Sequence, residues 1–142
     1  MRNIVIRITA EVIGAPKEHV EETLTKMLDA LDKEEDVKVL SRKTHETNQI
    51  EKNDKLWSTF AEVEFEANSF QRVLNICYDY MPSTIEIIEP AGMDIDTNDI
   101  NDFMNDFLSK LHKYAMVMKK LQSENIYMMK RLEMFEGKKV NV

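Results

Sequence analysis

Apolar residues occupy every second position near the start of the chain. Isoleucine recurs from Ile4 to Ile8, and Ala10 and Val12 continue the series. Polar or charged side chains such as Arg7 stand between them. This period of two predicts a β-strand with one buried face.

Two later segments carry apolar residues at helical spacing instead. The first follows Gly14 and Pro16, and proline is well suited to the first turn of a helix. Its apolar stripe consists of Val20, Leu24, Met27, Leu28 and Leu31. The second segment follows Asn68 or Ser69, either of which is a good helix cap. Its stripe consists of Phe70, Val73, Leu74, Cys77 and Met81. Both patterns predict amphipathic helices.

Apolar runs predict three more strands, at residues 37–40, 57–65 and 85–88. The third of the four strands alternates in the same way as the first. Residues 41–55 are polar, lack periodicity and contain several turn-forming residues. They are predicted to form a long, exposed hairpin connection.

The order strand, helix, strand, strand, helix, strand predicts an α+β, ferredoxin-like head over residues 1–92. Right-handed crossovers in this βαββαβ fold place both helices on one face of a four-stranded antiparallel sheet. The first and third strands are then central, and every second residue faces away from the helices. This open face is predicted to contain Val5, Arg7, Thr9, Glu11, Phe60, Glu62, Glu64, Glu86 and Ile88.

Residues 97–135 contain neither glycine nor proline and predict one long helix, about 58 Å in length at about 1.5 Å per residue. Its apolar residues follow a 3-4-3-4 repeat, the a and d positions of a coiled coil. These ten positions form the seam: Met104, Phe107, Leu111, Tyr114, Met118, Leu121, Asn125, Met128, Leu132 and Phe135. Residues 93–136 are therefore predicted to be an association segment, followed by a short basic tail at residues 137–142.

Asn125 is the one polar residue of the seam, at an a position, where a buried amide fixes register at a cost in stability. It favours parallel pairing of two helices. The charges favour antiparallel pairing, because residues 93–106 hold five Asp and no base while residues 107–142 hold eight bases and three acids. A break of the helix near Ser123 is the further alternative.

The net charge of the 142-residue chain is −7, and the excess of acid lies in the head. Acid at the start of the long helix and base at its end also suit the helix macrodipole. The alternative interpretation is that the basic end binds an acidic partner or nucleic acid. Its bases are Lys119, Lys120, Lys130, Arg131, Lys138 and Lys139.

The sequence does not predict a catalytic, cofactor or metal site. The histidines, His19, His45 and His112, fall on different elements without metal-ligand spacing and are expected at the surface. Asp94 begins a run like a calcium loop, but the run lacks the required glycine and glutamate and is predicted to be a helix start. Cys77 is alone and predicted to be a small core residue.

No apolar run has the length of a signal peptide or of a membrane span, which needs about 20 residues. The protein is therefore expected in the cytoplasm without membrane contact. RNA binding through the sheet is not expected, because Phe60 is the one aromatic of the open face and carboxylates surround it. That acidic face is instead a candidate site for a protein partner. Gly14 lies where ACT-type regulatory domains bind amino acids, which is a third alternative.

Residues 59–114, about 40% of the chain, resemble the C-terminal extension domain of WYL-type transcriptional regulators. The matching segments are residues 60–65, 71–74 and 85–90, followed by a helix that reaches Tyr114. The resemblance implies a ferredoxin-like module used in dimerisation and sometimes in contacting nucleic acid or a neighbouring domain.

These patterns together predict a non-enzymatic interaction protein, an acidic head on a helix that forms a homodimer. The second hypothesis is a regulatory accessory protein of transcription-associated nucleic-acid processes. The third is an ACT-like sensor of a small ligand. No cofactor is expected in any of them.

Overall fold

The computed structural model describes residues 3–137, apart from the side chains of residues 53 and 54. This part of the chain is an α+β structure with five strands and three helices, as predicted in class. The elements are β1 (Ile4–Gly14), α1 (Lys17–Asp32), β2 (Val37–Thr44), β3 (Asn48–Ile50), β4 (Asn53–Ala67), α2 (Phe70–Tyr80), β5 (Thr84–Glu89) and α3 (Thr97–Glu136). The chain divides into two compact units, residues 1–93 and 94–142.

The first unit contains one antiparallel sheet in the order β2-β4-β1-β5, with β3 paired to β4 outside this path. The central pair is long: β1 and β4 are in register from Ile4 opposite Ala67 to Gly14 opposite Trp57. Strands β2 and β5 lie on either side of this pair. The sheet is therefore organised around the two strands that alternate most regularly in the sequence.

The core lies on one face of this sheet. Ile6 and Ile8 of β1 are buried beside Val63 and Phe65 of β4, as the period of two predicts. The two helices add their stripes to the same cluster: Leu24, Leu28, Leu31, Val73 and Ile76. Because the buried residues of β1 all share one face, α1 and α2 pack on that same face. Complete burial of each such side chain is worth roughly 1.5–3 kcal/mol.

Residues 41–55 do not form the predicted long hairpin connection, although most of those described are exposed. Strand β2 continues to Thr44, β3 spans Asn48–Ile50, and β4 already begins at Asn53. The sheet consequently has five strands rather than four. Strand β4, at 15 residues, extends past the core, and its backbone groups pair with polar neighbours there. Such pairing needs no buried side chains and leaves no apolar alternation in the sequence.

The end of α2 also differs from its prediction. Ser69 caps the helix as expected, since its hydroxyl accepts a 3.1 Å hydrogen bond from the Arg72 N–H. Ile76, which the predicted stripe omits, is fully buried, whereas Met81 is exposed. The helix ends at Tyr80, and Met81 takes a left-handed conformation at φ 45° that turns its side chain out of the stripe.

A polar cluster fastens the turn after α1 to α2. The Glu34 carboxylate accepts hydrogen bonds from Arg72 Nη2 at 2.7 Å and from the Tyr80 hydroxyl at 2.9 Å. The hydrogen bond from Tyr80, followed by that from Arg72, lowers the pKa of Glu34. Burial and the bond to Glu34 raise the pKa of Tyr80 to about 12. Glu34 is therefore kept ionised and Tyr80 protonated, and these are the forms in which the hydrogen bond between the turn and α2 is made.

Candidate functional site

Helix α3 is continuous over 40 residues. The Asp96 side chain accepts a 3.4 Å hydrogen bond from the Asn98 N–H at its start, and Gly137 ends it at φ 63°, where glycine is strongly favoured. The helix does not break at Ser123. Its length of roughly 60 Å follows from about 1.5 Å per residue.

No residue of α3 is buried. The nine apolar residues of the seam keep between 41% and 79% of their surface exposed. They nevertheless share one side of the helix, because positions three and four apart lie above one another. From Met104 to Phe135 this stripe is roughly 46 Å long at about 1.5 Å per residue.

Asn125 stands within the stripe and is exposed. Leu108 and Met129, at e positions beside the seam, are also exposed and widen the apolar surface. His112 is likewise exposed, as predicted, on the same helix. Exposed apolar residues therefore lie along one side of α3, and their pairing with another helix stays a prediction.

The second half of α3 carries bases and aromatic rings. The guanidinium carbon of Arg131 lies 5.9 Å from the ring centres of both Tyr127 and Phe135. Lys120 Nζ is 4.0 Å from Glu124, a long ion pair between exposed groups. Lys138 and Lys139, and most of the predicted basic tail, lie outside the described residues.

The open face of the sheet contains the residues predicted for it on β1 and β4, together with Glu86 of β5. Ile88 differs, because a register shift beside it places Glu89 opposite Val5. Arg7 lies at its centre, with Nη2 2.6 Å from Glu64 Oε1 and Nη1 3.5 Å from Glu86 Oε2. The hydrogen bond and charge of Glu64 raise the pKa of Arg7. Two of the carboxylates therefore have a structural task, which is to hold an arginine between three strands.

Phe60 of the open face is covered by another ring. The His45 imidazole stacks on it at 4.3 Å between ring centres and 15° between planes. The His45 N–H also donates a 2.9 Å hydrogen bond to the Phe60 carbonyl, and Nε2 lies 3.8 Å from Glu62 Oε1. The His45 side chain is half-buried rather than fully exposed, because pairing beyond the end of β2 brings it over the sheet. No local sequence pattern indicates this contact.

The remaining candidates do not converge on a site. A Cβ at Gly14 would meet Val20 Cγ2 at 3.5 Å, an ordinary contact, so packing does not require a glycine here. Cys77 is half-buried, and burial raises the pKa of its thiol. Over residues 3–137 no three His, Cys, Asp or Glu residues are grouped to hold a metal ion. No helix in the same range is both long and apolar enough to cross a membrane.

Comparison with curated proteins finds no match. The model of one protein family, described as the MJ0538 family, matches residues 5–140. This match includes the sheet, its two helices and α3, so head and long helix occur together in the family pattern. The chain belongs to the MJ0538 family.

Proposed function

We propose that this protein is a non-enzymatic association protein that forms a parallel homodimer through α3. The observation that carries the proposal is the continuous apolar stripe of α3, in a helix with no buried residue. The argument needs only the part of the seam between Leu111 and Leu132. An ordinary monomer exposes at most about 300–600 Å² of contiguous apolar surface, and larger patches are usually interfaces.

The energies of pairing favour association. Each apolar seam residue is about half exposed, so covering it contributes roughly half of the 1.5–3 kcal/mol of complete burial. Between Leu111 and Leu132 each helix offers six such residues, and a symmetric dimer covers both sets. Their total of roughly 9–18 kcal/mol is comparable to the association cost of about 4–15 kcal/mol. Heptad spacing lets every seam residue reach the partner helix.

Asn125 favours the parallel arrangement. Two parallel copies place their Asn125 amides opposite one another, where each satisfies the other. An antiparallel pair would set each amide against apolar side chains at a cost of about 1–3 kcal/mol per unsatisfied group. The attraction between the acidic start and basic end of α3 acts between exposed charges, which salt screens.

We further infer that the head is a ferredoxin-like domain with β3 inserted between its second and third long strands. The order β2-β4-β1-β5 supports this, since it places the first and third of the four long strands in the centre. Packing of α1 and α2 on one face supports it as well. The resemblance to the WYL-associated extension domain implies a dimerisation module, which agrees with the proposal.

Truncation tests the role of α3 directly. A chain that ends at Gly92 should be a monomer at tens of micromolar by light scattering, whereas the full chain should be a dimer. The proposal fails if both are monomers or if the truncated chain is itself the dimer. Retained unfolding cooperativity of the truncated chain, followed by Trp57 fluorescence, checks that the head remains folded.

Two matched substitutions test the seam itself. Leu121 is a seam residue that is 53% exposed, and Ile126 lies off the seam at 57%. Leu121→Glu should raise the dimer dissociation constant about a hundredfold or more, because pairing would bury two facing carboxylates. Ile126→Glu should leave it unchanged. Dissociation by Ile126→Glu alone, measured by sedimentation, would place the interface on another face.

A further inference from the structure

The side of α3 opposite the seam has a distinct composition. Its b, c and f heptad positions between residues 112 and 134 hold four lysines and a single acid, Glu133. We call this side the outer face. Its residues used below are Met116, Lys119, Lys120, Tyr127, Lys130 and Met134. A positive surface in a chain of net charge −7 is a local feature that the whole-chain charge conceals.

The bases of the second half of α3 occur as two pairs. Lys119 and Lys120 form the first pair, and Lys130 and Arg131 form the second, 11 residues later. Eleven residues are about three turns of an α-helix, so both pairs point to the same side, roughly 16 Å apart along the axis. A polyanion running along the helix can meet both pairs at once.

An exposed aromatic ring lies between the pairs. Tyr127 keeps 62% of its surface exposed, one turn before Lys130. The guanidinium of Arg131 lies beside its ring at 5.9 Å. Aromatic rings interleaved with bases are the surface on which single-stranded nucleic acids stack, and arginine adds a second planar group for stacking.

We propose that the outer face of α3 binds single-stranded nucleic acid, with Lys119, Lys120 and Lys130 on its phosphates and Tyr127, flanked by Arg131, stacked on a base. This inference goes beyond dimerisation and is compatible with it. The seam and the outer face lie on opposite sides of the helix, so a parallel dimer presents two outer faces to the solvent.

Two alternatives fit less well, which are RNA on the open face of the sheet and an anionic membrane on α3. The sheet would need a free aromatic for RNA, but His45 covers Phe60 at 4.3 Å. An anionic membrane would need an apolar side with lysines at its rims. The seam is such a side, but the proposed dimer covers it, and the outer face itself mixes Lys120 and Lys130 with Met116, Tyr127 and Met134.

Fluorescence anisotropy of a labelled single-stranded oligouridine with the full chain tests the proposal. Wild type should bind in about 50 mM salt and lose at least tenfold in affinity by about 200 mM, because phosphate contacts release counterions. Lys120→Glu with Lys130→Glu should weaken binding about tenfold or more and flatten the salt dependence. Tyr127→Ala should weaken it about fivefold or more, while Tyr127→Phe should not.

The control variants change charge and aromatic content in the head instead of on α3. Lys26→Glu with Lys33→Glu makes the same change in net charge on α1 and the turn after it, and should leave binding within about twofold at this salt. Phe60→Ala should have no effect. Equal losses from the two charge-reversed pairs would overturn the proposal, as would absence of oligouridine binding or loss of binding by Phe60→Ala. Lysine-dependent binding to vesicles with anionic lipid, without oligouridine binding, would overturn it in favour of a membrane.

Discussion

The first unit buries its apolar residues, whereas α3 exposes them. In the first unit Ile6 and Phe65 are completely buried, and two helices cover the same face of the sheet. In α3 the leucines, methionines and aromatics of the seam are all exposed. Both regions are rich in apolar residues. The difference is that several elements can enclose a core between them, whereas one straight helix cannot enclose anything.

This difference teaches where each region obtains its stability. The head draws on contacts within one chain, so its unfolding should not depend on protein concentration. Under the proposed function the helix draws on a second copy, so its stability rises with concentration by mass action. Isolated helices gain little from helix propensity alone and are stabilised mainly by packing of their apolar side.

The largest expected effect comes from a cavity in the head. Phe65→Ala removes the largest fully buried side chain and should lower the free energy of unfolding by about 3–5 kcal/mol. Denaturation followed by the fluorescence of Trp57, the one tryptophan of the chain, measures this loss. The loss should be the same at high and low protein concentration. A loss that disappears at high concentration would show that the head, too, depends on association.

A substitution in the seam of α3 should raise stability, whereas Phe65→Ala lowers it. Asn125→Leu replaces the polar residue of the seam and should stabilise the dimer by about 1–3 kcal/mol, since no amide is then buried. It should also permit other registers or oligomers, visible in sedimentation as a mixture. Asn125→Gln keeps an amide and serves as the control. A marked loss of stability with an unchanged dimer would show that Asn125 makes a specific hydrogen bond that leucine cannot replace.

The elements that sequence patterns locate well are those with strong contrast between two sides. Strands β1 and β4 alternate because one face meets the core and the other meets water. The buried positions of α1 are found for the same reason. The strand pairing within residues 41–55 is not predicted, because hydrogen bonds between these backbones and β4 require no apolar side chain.

Some features of the candidate site can likewise be predicted from local sequence, and others cannot. The seam follows from the spacing of residues along one helix, so its place on α3 is predictable from local sequence. The stacking of His45 on Phe60 depends on a strand pairing between distant segments. The left-handed Met81 is a further example, because neither its neighbours nor its residue type favours that conformation. Long-range geometry decides these features, and periodicity does not encode it.

A smaller effect is expected where two parts of the head are joined by polar contacts. Tyr80→Phe removes the 2.9 Å hydrogen bond to Glu34 and should cost about 0.5–1.5 kcal/mol near neutral pH. Trp57 fluorescence again measures the loss. Tyr127→Phe removes a hydroxyl from α3, outside the head, and should leave the unfolding of the head unchanged.

The pH dependence of this cost follows from the two pKa values. The pKa of Tyr80 is raised from its ordinary 10 to about 12, so its stabilisation is complete below pH 10 and is lost as pH rises to about 12. The pKa of Glu34 is lowered, so its stabilisation is present above its ordinary 4.5 and is lost as pH falls through the lower folded value. The gap between wild type and Tyr80→Phe should therefore narrow at both extremes. A constant gap would contradict the hydrogen bond.

The smallest expected effect lies at the end of α2, where Met81 takes a left-handed conformation at φ 45° with its side chain exposed. A residue with a Cβ pays about 1–2 kcal/mol for this conformation, whereas glycine adopts it freely but loses about 0.5–1 kcal/mol through the entropy of the unfolded chain. Met81→Gly should therefore stabilise the head by up to about 1 kcal/mol. Met81→Ala keeps the Cβ and should change little, because the methionine side chain makes few contacts to lose. If glycine destabilises the head as measured by Trp57 fluorescence, the exposed methionine side chain contributes contacts that outweigh its backbone strain.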